Sequence, residues 1–365
     1  MKNAASRPQR VTEELCVPTS PRLSVLATAQ RPSRQQRQGR YVPESMKHPA
    51  RMLPAIAAHV ITDYTGPGEL VLDPMCGIGT TLVEAIHLGR DAAGMEYETD
   101  FAHLTLRNLR HAQAQGATGT ARLVCGDARH IATVFAELRG KVALVLTSPP
   151  YGSHTHGHVR SGRDNGGGKI EKTNHRYSTD PGNLAHRGLD ELLDGFGRIL
   201  TGCAELLQPF GVVAVTVRPI RVRGELIDLP GLVAETAERS GLVLTDRLVA
   251  LLCGLRDGGL VNRASFFQML ETRRARDKGI PACATAHEDL LLSAIPAHHR
   301  PQHRPRVSEP IPFQASFADG IAAEFGGASD AVSCGESRPA RTGAESEPSR
   351  RPGGVVRRRS LDVHG

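Results

Sequence analysis

The segment of this sequence best suited to do chemistry is the run Thr147-Ser148-Pro149-Pro150-Tyr151. Proline has no amide hydrogen, so two prolines in succession end a strand or helix and fix a rigid turn. Main-chain carbonyls in such a turn can accept hydrogen bonds, and the Tyr151 ring offers a face for stacking. An amino group on an aromatic ring is a poor nucleophile because its lone pair is delocalised into the ring. Hydrogen bonds from its protons to the carbonyls of Ser148 and Pro149 and to the Ser148 hydroxyl would free that lone pair, so the run predicts a site that activates a planar amine.

A second group of residues has the chemistry of a nucleoside site. The run Asp73-Pro74-Met75-Cys76-Gly77-Ile78-Gly79-Thr80 places an acid before a Gly-x-Gly turn, where backbone N–H groups and a helix N-terminus can approach a ligand. Glu96 lies 17 residues beyond Gly79, where a carboxylate can accept both ribose hydroxyls, and Asp127 could accept from an adenine amino group. A Gly-x-Gly turn alone would also fit an ordinary strand–turn–helix corner. Three acids that each close a successive predicted strand are hard to explain by packing.

The spacing of the glycines bears on the kind of ligand. A pyrophosphate-binding dinucleotide site prefers Gly-x-Gly-x-x-Gly, but Leu82 stands at the third glycine position. The sequence also has no Gly-x-x-x-x-Gly-Lys-Ser/Thr run, so ATP binding is not indicated. A nucleoside without phosphate, such as S-adenosylmethionine, suits the shorter turn better.

Apolar runs that alternate with amphipathic stretches predict the elements that would position these residues. Short apolar runs predict strands at residues 70–72, 91–95, 122–125, 142–146, 212–217, 244–252 and 290–292. Amphipathic stretches predict helices at residues 80–88, 101–114, 131–138, 189–207 and 232–239. Because parallel strands need a crossover helix between them, this alternation predicts an α/β fold with a doubly wound, mostly parallel sheet. The acids and the Pro-Pro turn would then meet at the carboxyl edge of that sheet.

Together these motifs resemble those of the S-adenosylmethionine-dependent amino-methyltransferases of DNA, the N4-cytosine and N6-adenine group with Ser-Pro-Pro-Tyr or Asp-Pro-Pro-Tyr. The resemblance covers about residues 44–295, where the run Lys47-His48-Pro49-Ala50-Arg51-Met52-Leu53 looks like the segment that helps to hold the methionine moiety. It implies a Rossmann-like methyltransferase fold, S-adenosylmethionine as the cofactor and no metal. The catalytic residues that it implies are Ser148, Pro149, Pro150 and Tyr151. The cofactor contacts that it implies are His48, Pro49, Asp73, Pro74, Gly77, Gly79, Thr80, Glu96 and Asp127.

The resemblance implies methyl transfer to an exocyclic base amine of DNA by direct displacement. Serine at position 148 favours cytosine N4, with adenine N6 as the other option. The alternative enzyme methylates guanine N2 in transfer RNA, although such enzymes typically carry Asp at this position and an extra N-terminal RNA-binding domain. A non-catalytic nucleic-acid-binding scaffold is a third interpretation, and it has no need of Asp73, Glu96 and Asp127 together with the Pro-Pro turn.

The polar stretch at residues 152–187 is the predicted target loop. A loop of this length inside a domain is usually functional or disordered. Its basic residues would suit phosphate contacts, and a solvated loop fits about equally well. The predicted substrate contacts are Arg160, Arg163, Lys169, Lys172 and, after the fifth strand, Arg218. A recognition sequence would be read by this loop, by residues 255–285 or by a partner, such as the partner in a restriction system. His154, His156 and His158 alternate here, but displacement chemistry needs no metal.

The basic character of the chain comes mainly from its ends. Residues 1–40 hold eight Lys and Arg against two Asp and Glu, and residues 296–365 hold ten against eight, which leaves −1 in the middle out of a net +7. Both ends lack apolar periodicity, so we predict disordered tails at residues 1–40 and 296–365 around one domain at residues 41–295. Seven scattered Cys without a Cys-x-x-Cys pair, no apolar run of membrane length and no signal-peptide pattern predict a cytoplasmic protein.

Overall fold

The computed structural model describes residues 23–48, 51–151, 180, 182–222, 224–264 and 266–296, and the backbone of residues 158–160 and 171–173. All of them belong to the first of two units of the chain, Met1–Ser316. The second unit, Phe317–Gly365, lies outside the described residues. Eight strands of the first unit form one sheet, with helices on both of its faces.

The seven predicted strands are present, and the structure adds further strands and helices that the alternating pattern did not indicate. The sheet strands are β1 (Val25–Leu26), β2 (Leu70–Asp73), β3 (Asp91–Glu96), β4 (Ala121–Cys125), β5 (Val142–Thr147), β8 (Leu207–Val217), β11 (Val243–Leu251) and β14 (His287–Ala294). Three two-stranded ribbons pair β6 (His158–Arg160) with β7 (Glu171–Thr173), β9 (Ile220–Val222) with β10 (Glu225–Ile227), and β12 (Gly254–Arg256) with β13 (Gly259–Val261). The helices are α1 (Ser33–Arg37), α2 (Pro54–Tyr64), α3 (Thr80–His87), α4 (Thr99–Ala114), α5 (Ile131–Val134), α6 (Leu189–Leu206), α7 (Leu229–Arg239) and α8 (Phe266–Asp277).

The sheet is mixed and mostly parallel, which confirms the predicted fold class. Its strand order is β1-β11-β14-β8-β5-β2-β3-β4, and β14 alone runs antiparallel to both of its neighbours. The carboxyl ends of β2, β3, β4, β5 and β8 therefore lie along one edge, and the amino end of β14 joins them there. This is the edge at which open α/β sheets bind ligands.

Two apolar cores fix the helices on the sheet. On one face α2, α3 and α4 bury side chains such as Ile56, Leu82 and Leu109, and on the other face α5 and α6 bury Ile131 and Phe196. Close-packed layers of this kind hold the strand ends in fixed positions. Within the described part of the chain, no helix has both the length and the apolar character needed to span a bilayer.

The predicted domain boundary at residue 40 lies too far along the chain, because residues 23–40 are part of the folded unit. β1 pairs with β11 at the sheet edge, and Gln36 and Arg37 of α1 are buried. The Gln36 side chain donates to the carbonyl of Thr28 at 2.9 Å and accepts from the amide of Ala55 at 3.0 Å. Hydrogen bonds and only a few apolar residues, such as Leu26 and Ala29, hold this segment, so hydrophobic periodicity gives no sign of it.

Two predicted element boundaries also need correction. The strand predicted at residues 212–217 begins earlier, at Leu207. It therefore includes the run Pro209-Phe210-Gly211, where the register shifts and Phe210 adopts a φ of 66°. The helix predicted at residues 131–138 is divided into α5 and a 3-10 turn, Ala136–Leu138. At both places the backbone departs from regular geometry while neighbouring apolar residues stay buried. The apolar pattern in the sequence therefore does not reveal the boundary.

Asn108 of α4 ties the segment before the first long helix to the Gly-x-Gly turn. Its Oδ1 accepts from the Val42 amide and the Ser45 hydroxyl, each at 3.0 Å, and its Nδ2 donates to the Ile78 carbonyl at 2.9 Å. The side chain is fully buried, so Asn108→Ala would leave all three partners unsatisfied. We expect this variant to lower the free energy of unfolding by about 2 kcal/mol in urea titrations. Asn262→Ala, at an exposed position, is the matched control, and an equal loss in both variants would contradict the prediction.

Candidate functional site

A cleft at the carboxyl edge of the sheet brings together most of the predicted site residues. The ends of β2, β3, β4 and β5 form its base, and it encloses about 910 Å³, part of it open to solvent. The predicted residues that line it are His48, Asp73, Pro74, Gly77, Thr80, Glu96, Asp127, Ser148, Pro149 and Pro150.

Asp73, at the end of β2, is buried and joins three parts of the site. Its Oδ2 accepts from the Thr81 hydroxyl at 2.6 Å, and its Oδ1 accepts from the Thr147 hydroxyl at 2.9 Å and the Met75 amide at 3.1 Å. Burial raises the pKa of Asp73 to about 6, while these hydrogen bonds act in the opposite direction. Asp73 thereby fixes the start of α3 and the end of β5 relative to the Gly-x-Gly turn.

The two positions of the turn require glycine for different structural reasons. Both have positive φ, 57° at Gly77 and 77° at Gly79, which favours glycine. A Cβ on Gly77 would lie 3.0 Å from Nε2 of His48, whose ring packs on Phe101 with a centroid separation of 4.2 Å. A Cβ on Gly79 would lie 2.6 Å from the Thr105 methyl group, and Gly79 is not among the residues that line the cleft. Gly77 therefore keeps the cleft open, and Gly79 shapes the turn.

Glu96, at the end of β3, is a buried carboxyl without a cation among the partners that act on it. Its Oε2 accepts from the Gly77 amide at 2.7 Å, and its Oε1 accepts from the Glu98 amide at 2.8 Å. Burial raises the pKa of Glu96 to about 8, although both amide hydrogen bonds lower it. Two oxygens that each retain a free lone pair face the cleft region, which suits a ligand with two adjacent hydroxyl donors.

Asp127, after β4, is already engaged by Arg129. The Arg129 Nε lies 2.9 Å from both carboxylate oxygens, and its amide donates to Asp127 Oδ1 at 2.9 Å. Burial alone would raise the pKa of Asp127, but the hydrogen bonds and charge of Arg129 outweigh it and leave that pKa below its usual value. The carboxylate therefore stays ionised and can accept a further hydrogen bond from a ligand amine.

Residues 182–185 line the cleft, but no cofactor role was predicted for them because they lie within the predicted target loop, residues 152–187. Tyr97 donates its hydroxyl to Asp180 at 2.9 Å, and Asn183 donates its side-chain amide to Glu98. Both partners follow directly on Glu96, so this segment lies against the cofactor side of the cleft. Asn183 is buried, and its Oδ1 accepts from the Ala185 amide at 2.9 Å.

The Pro-Pro turn closes the other side of the cleft. Thr147 is fully buried beneath it, and Ser148, Pro149 and Pro150 face the cavity. Tyr151 is half-buried and packs against the core beneath α6. The guanidinium carbon of Arg218, at the end of β8, lies 5.7 Å from the centroid of the Tyr151 ring. The cleft is thus lined by acidic residues on one side, and the turn on its other side continues into Tyr151, which lies beside Arg218.

Several predicted residues cannot be placed. Pro49, Arg163 and Lys169 lie outside the described residues, and Arg160 and Lys172 belong to β6 and β7, of which only the backbone is described. Among the described residues, no three or more His, Cys, Asp or Glu side chains are grouped so that they could hold a metal.

A family model matches the part of the chain that carries the cofactor side of the cleft. Residues 16–107 match the model described as DNA methylase. The matched stretch contains His48, Asp73, Gly77 and Glu96, and it ends before Asp127 and the Pro-Pro turn.

Two curated relatives are methyltransferases with different substrates in their names. A tRNA (guanine(10)-N2)-dimethyltransferase of Methanocaldococcus jannaschii is 34% identical over 110 residues, which are 30% of this chain and 31% of that protein. The DNA adenine methyltransferase YhdJ of Escherichia coli (strain K12) is 32% identical over 80 residues, which are 22% of this chain and 27% of that protein. The chain thus spans less than a third of the length of either relative. Among solved structures, TrmN from Thermus thermophilus is similar over 72% of this chain and 53% of its own, with 18% identity and a TM-score of 0.39.

Proposed function

We infer, from the match of residues 16–107 to the DNA methylase model and from the residues of the cleft, that this chain is an S-adenosylmethionine-dependent methyltransferase acting on an exocyclic amine of a nucleic-acid base. The observation that carries the proposal is that Glu96, Asp127 and the Ser148-Pro149-Pro150 turn line one cleft. Methyl transfer to an amine requires that the methyl donor and the amine be aligned. The acidic residues would bind the nucleoside of the cofactor, and the carbonyls of the turn would orient the amine.

The residues of the cleft fit S-adenosylmethionine. Glu96 has free lone pairs for the two ribose hydroxyls, and burial that its two amide donors offset only in part raises its pKa to about 8. Asp127 would accept from the adenine amino group. A Cβ at Gly77 would crowd the His48 ring, so glycine leaves room beside that ring for the methionine portion. When bound, S-adenosylmethionine supplies an electrophilic methyl group that a neutral amine displaces from sulfur directly.

The Pro-Pro turn would prepare the amine. The carbonyls of Ser148 and Pro149 would accept hydrogen bonds from its two N–H groups, which localises the nitrogen lone pair for attack on the methyl group. After transfer the methylated nitrogen would release one proton to solvent, and the Ser148 hydroxyl would accept a hydrogen bond from the departing N–H. Because Thr147 is held by Asp73 at 2.9 Å, the turn keeps its place relative to the cofactor side. Alignment of this kind supplies a large part of the rate enhancement in group transfer.

The proposed target is DNA, with cytosine N4 favoured over adenine N6 because serine stands at position 148. A base inside a duplex would have to be flipped out to reach the turn. Guanine N2 in transfer RNA is the second candidate, supported by the name of the 34% identical archaeal relative. Recognition of a particular sequence would come from residues 152–187, from residues 255–285 or from a partner, including the partner in a restriction system.

The substrate class is tested by incubating the protein with methyl-labelled S-adenosylmethionine and, in parallel, genomic DNA and bulk transfer RNA. We expect label in DNA and its recovery as a single N-methylated nucleoside after digestion and mass spectrometry. Label only in RNA would move the proposal to the second candidate. Label in neither would leave the non-catalytic scaffold as the better account.

A further inference from the structure

We propose that Glu288 is a positioning residue that holds the guanidinium of Arg218 against the Tyr151 ring, where the target base enters. The proposal rests on the proposed function, because it places Tyr151 and Arg218 on the base side of the methyl-transfer cleft. It gives β14, the antiparallel strand, a part in the site.

The register of β14 against β8 brings Glu288 beside Arg218. Leu290 pairs with Thr216, and Asp289 pairs with Val217 as the last pair of the ladder, so extending the register by one position brings Glu288 opposite Arg218. Directly opposed residues of an antiparallel pair carry Cβ atoms about 4.5–5.5 Å apart on the same face of the sheet. The two side chains are therefore within reach of each other.

Opposite charges support this pairing. Burial raises the pKa of Glu288, and the positive charge of Arg218 acts against that rise. A carboxylate withdrawn from water is costly unless a cation compensates it, so Arg218 stabilises the ionised form of Glu288. The same attraction restricts the Arg218 side chain, which would otherwise have several rotamers open to it at the end of β8.

Arg218 reaches the base side of the cleft over Tyr151. Its guanidinium carbon lies 5.7 Å from the ring centroid, a distance typical of a cation–π contact. Tyr151 follows directly on Pro150, which lines the cleft. A guanidinium offers only donors, so beside a base it would donate to a ring nitrogen, a carbonyl oxygen or a phosphate. Fixing this group before substrate arrives lowers the entropic cost of binding.

The neighbouring residue on β14 provides a matched control. Asp289 is buried, and its Oδ1 accepts from Arg247 Nε at 2.8 Å across the β14–β11 pair. Consecutive residues of a strand point to opposite faces, so this ion pair lies on the other face from Glu288. Asp289→Asn removes a carboxylate from the same strand without changing the partner of Arg218.

The test is a double-mutant cycle on the full-length protein, with Glu288→Gln, Arg218→Gln and the double variant. Glu288→Gln is expected to raise KM for the methylated nucleic acid about tenfold and to leave the Kd for S-adenosylmethionine within about twofold. The double variant should be no worse than Arg218→Gln, because Glu288 acts through Arg218. Glu288→Asp should recover part of the lost affinity, and Asp289→Asn should leave KM for the nucleic acid unchanged.

Additive losses in KM would overturn the proposal, and so would an equal rise in KM for Asp289→Asn. The melting temperatures of the wild type, Glu288→Gln, Arg218→Gln and the double variant are measured without substrate. They test the interaction of Glu288 with Arg218 independently of methyl transfer. A double variant that melts no lower than the less stable single variant supports it, and fully additive melting losses overturn it. If the melting temperatures show the expected coupling between Glu288 and Arg218 but the wild-type protein methylates no nucleic acid, the proposed function is contradicted and the pairing of the two residues is not.

Discussion

Pro149→Ala is expected to lower the rate of methyl transfer about 100-fold while the Kd for S-adenosylmethionine stays within about threefold. The substitution restores an amide hydrogen and frees the backbone at the centre of the turn, so the carbonyls of Ser148 and Pro149 lose their fixed direction. A displacement of about 1 Å in the group that orients a nucleophile costs a factor of this size. The cofactor side keeps Glu96 and Asp127, so binding persists. Single-turnover methylation and calorimetric titration with the cofactor measure the two quantities.

Pro230→Ala is the control for the loss of a proline. Pro230 is buried at the first turn of α7 and is not among the residues that line the cleft. We expect it to cost stability without changing the transfer rate. If Pro149→Ala lost cofactor binding and methyl transfer to the same extent, the turn would be a structural support for the whole cleft and not the device that orients the amine.

Glu96→Gln is expected to weaken S-adenosylmethionine binding at least tenfold at pH 9 and to remove a pH dependence that the wild type shows. The pKa of Glu96 in the free protein is raised to about 8 by burial, so the carboxyl is mostly protonated at pH 7. Ribose hydroxyls donate to the ionised form, so the ligand binds that form better and lowers its pKa. Wild-type affinity should therefore increase about tenfold from pH 7 to pH 9 and level off above the free-state pKa.

The α-amino group of the ligand titrates in the same range, so the Glu96→Gln profile serves as the baseline for it. Asp91→Asn controls for loss of a carboxylate elsewhere on β3, since Asp91 lies at the opposite end of that strand and accepts from Thr120 at 2.7 Å and 2.9 Å. A wild-type profile parallel to that of Glu96→Gln would contradict the assignment of Glu96 to the ribose.

Much of the cofactor side could be predicted from the sequence because local pattern encodes it. Asp73, Glu96 and Asp127 each end a short apolar run, and parallel strands bring such ends to one edge. The positive φ at Gly77 and Gly79 is likewise visible as Gly-x-Gly. These features need only strand identity and direction, which hydrophobic periodicity supplies.

The remainder depends on contacts between distant segments that no local pattern encodes. Gln36 is polar and was assigned to a tail, yet it is buried through hydrogen bonds to Thr28 and Ala55. Asn183 lies in a polar stretch, and its position beside Glu98 follows from tertiary structure alone. Glu288 comes opposite Arg218, one position beyond the last pair of the ladder, only because β14 runs antiparallel to β8. Sheet order decides these neighbours, and the apolar runs do not specify it.

The most direct test of the account is the position of the transferred methyl group. The protein is incubated with S-adenosylmethionine carrying a trideuterated methyl group and with the nucleic acid that it labels, and the nucleosides are analysed by tandem mass spectrometry. The account predicts an intact trideuteromethyl group on the exocyclic nitrogen of one base and its loss from the product with Pro149→Ala. A trideuteromethyl group on a ring carbon or on the ribose 2′-oxygen would contradict it, because the role proposed for the Ser148-Pro149-Pro150 turn is to activate an amine.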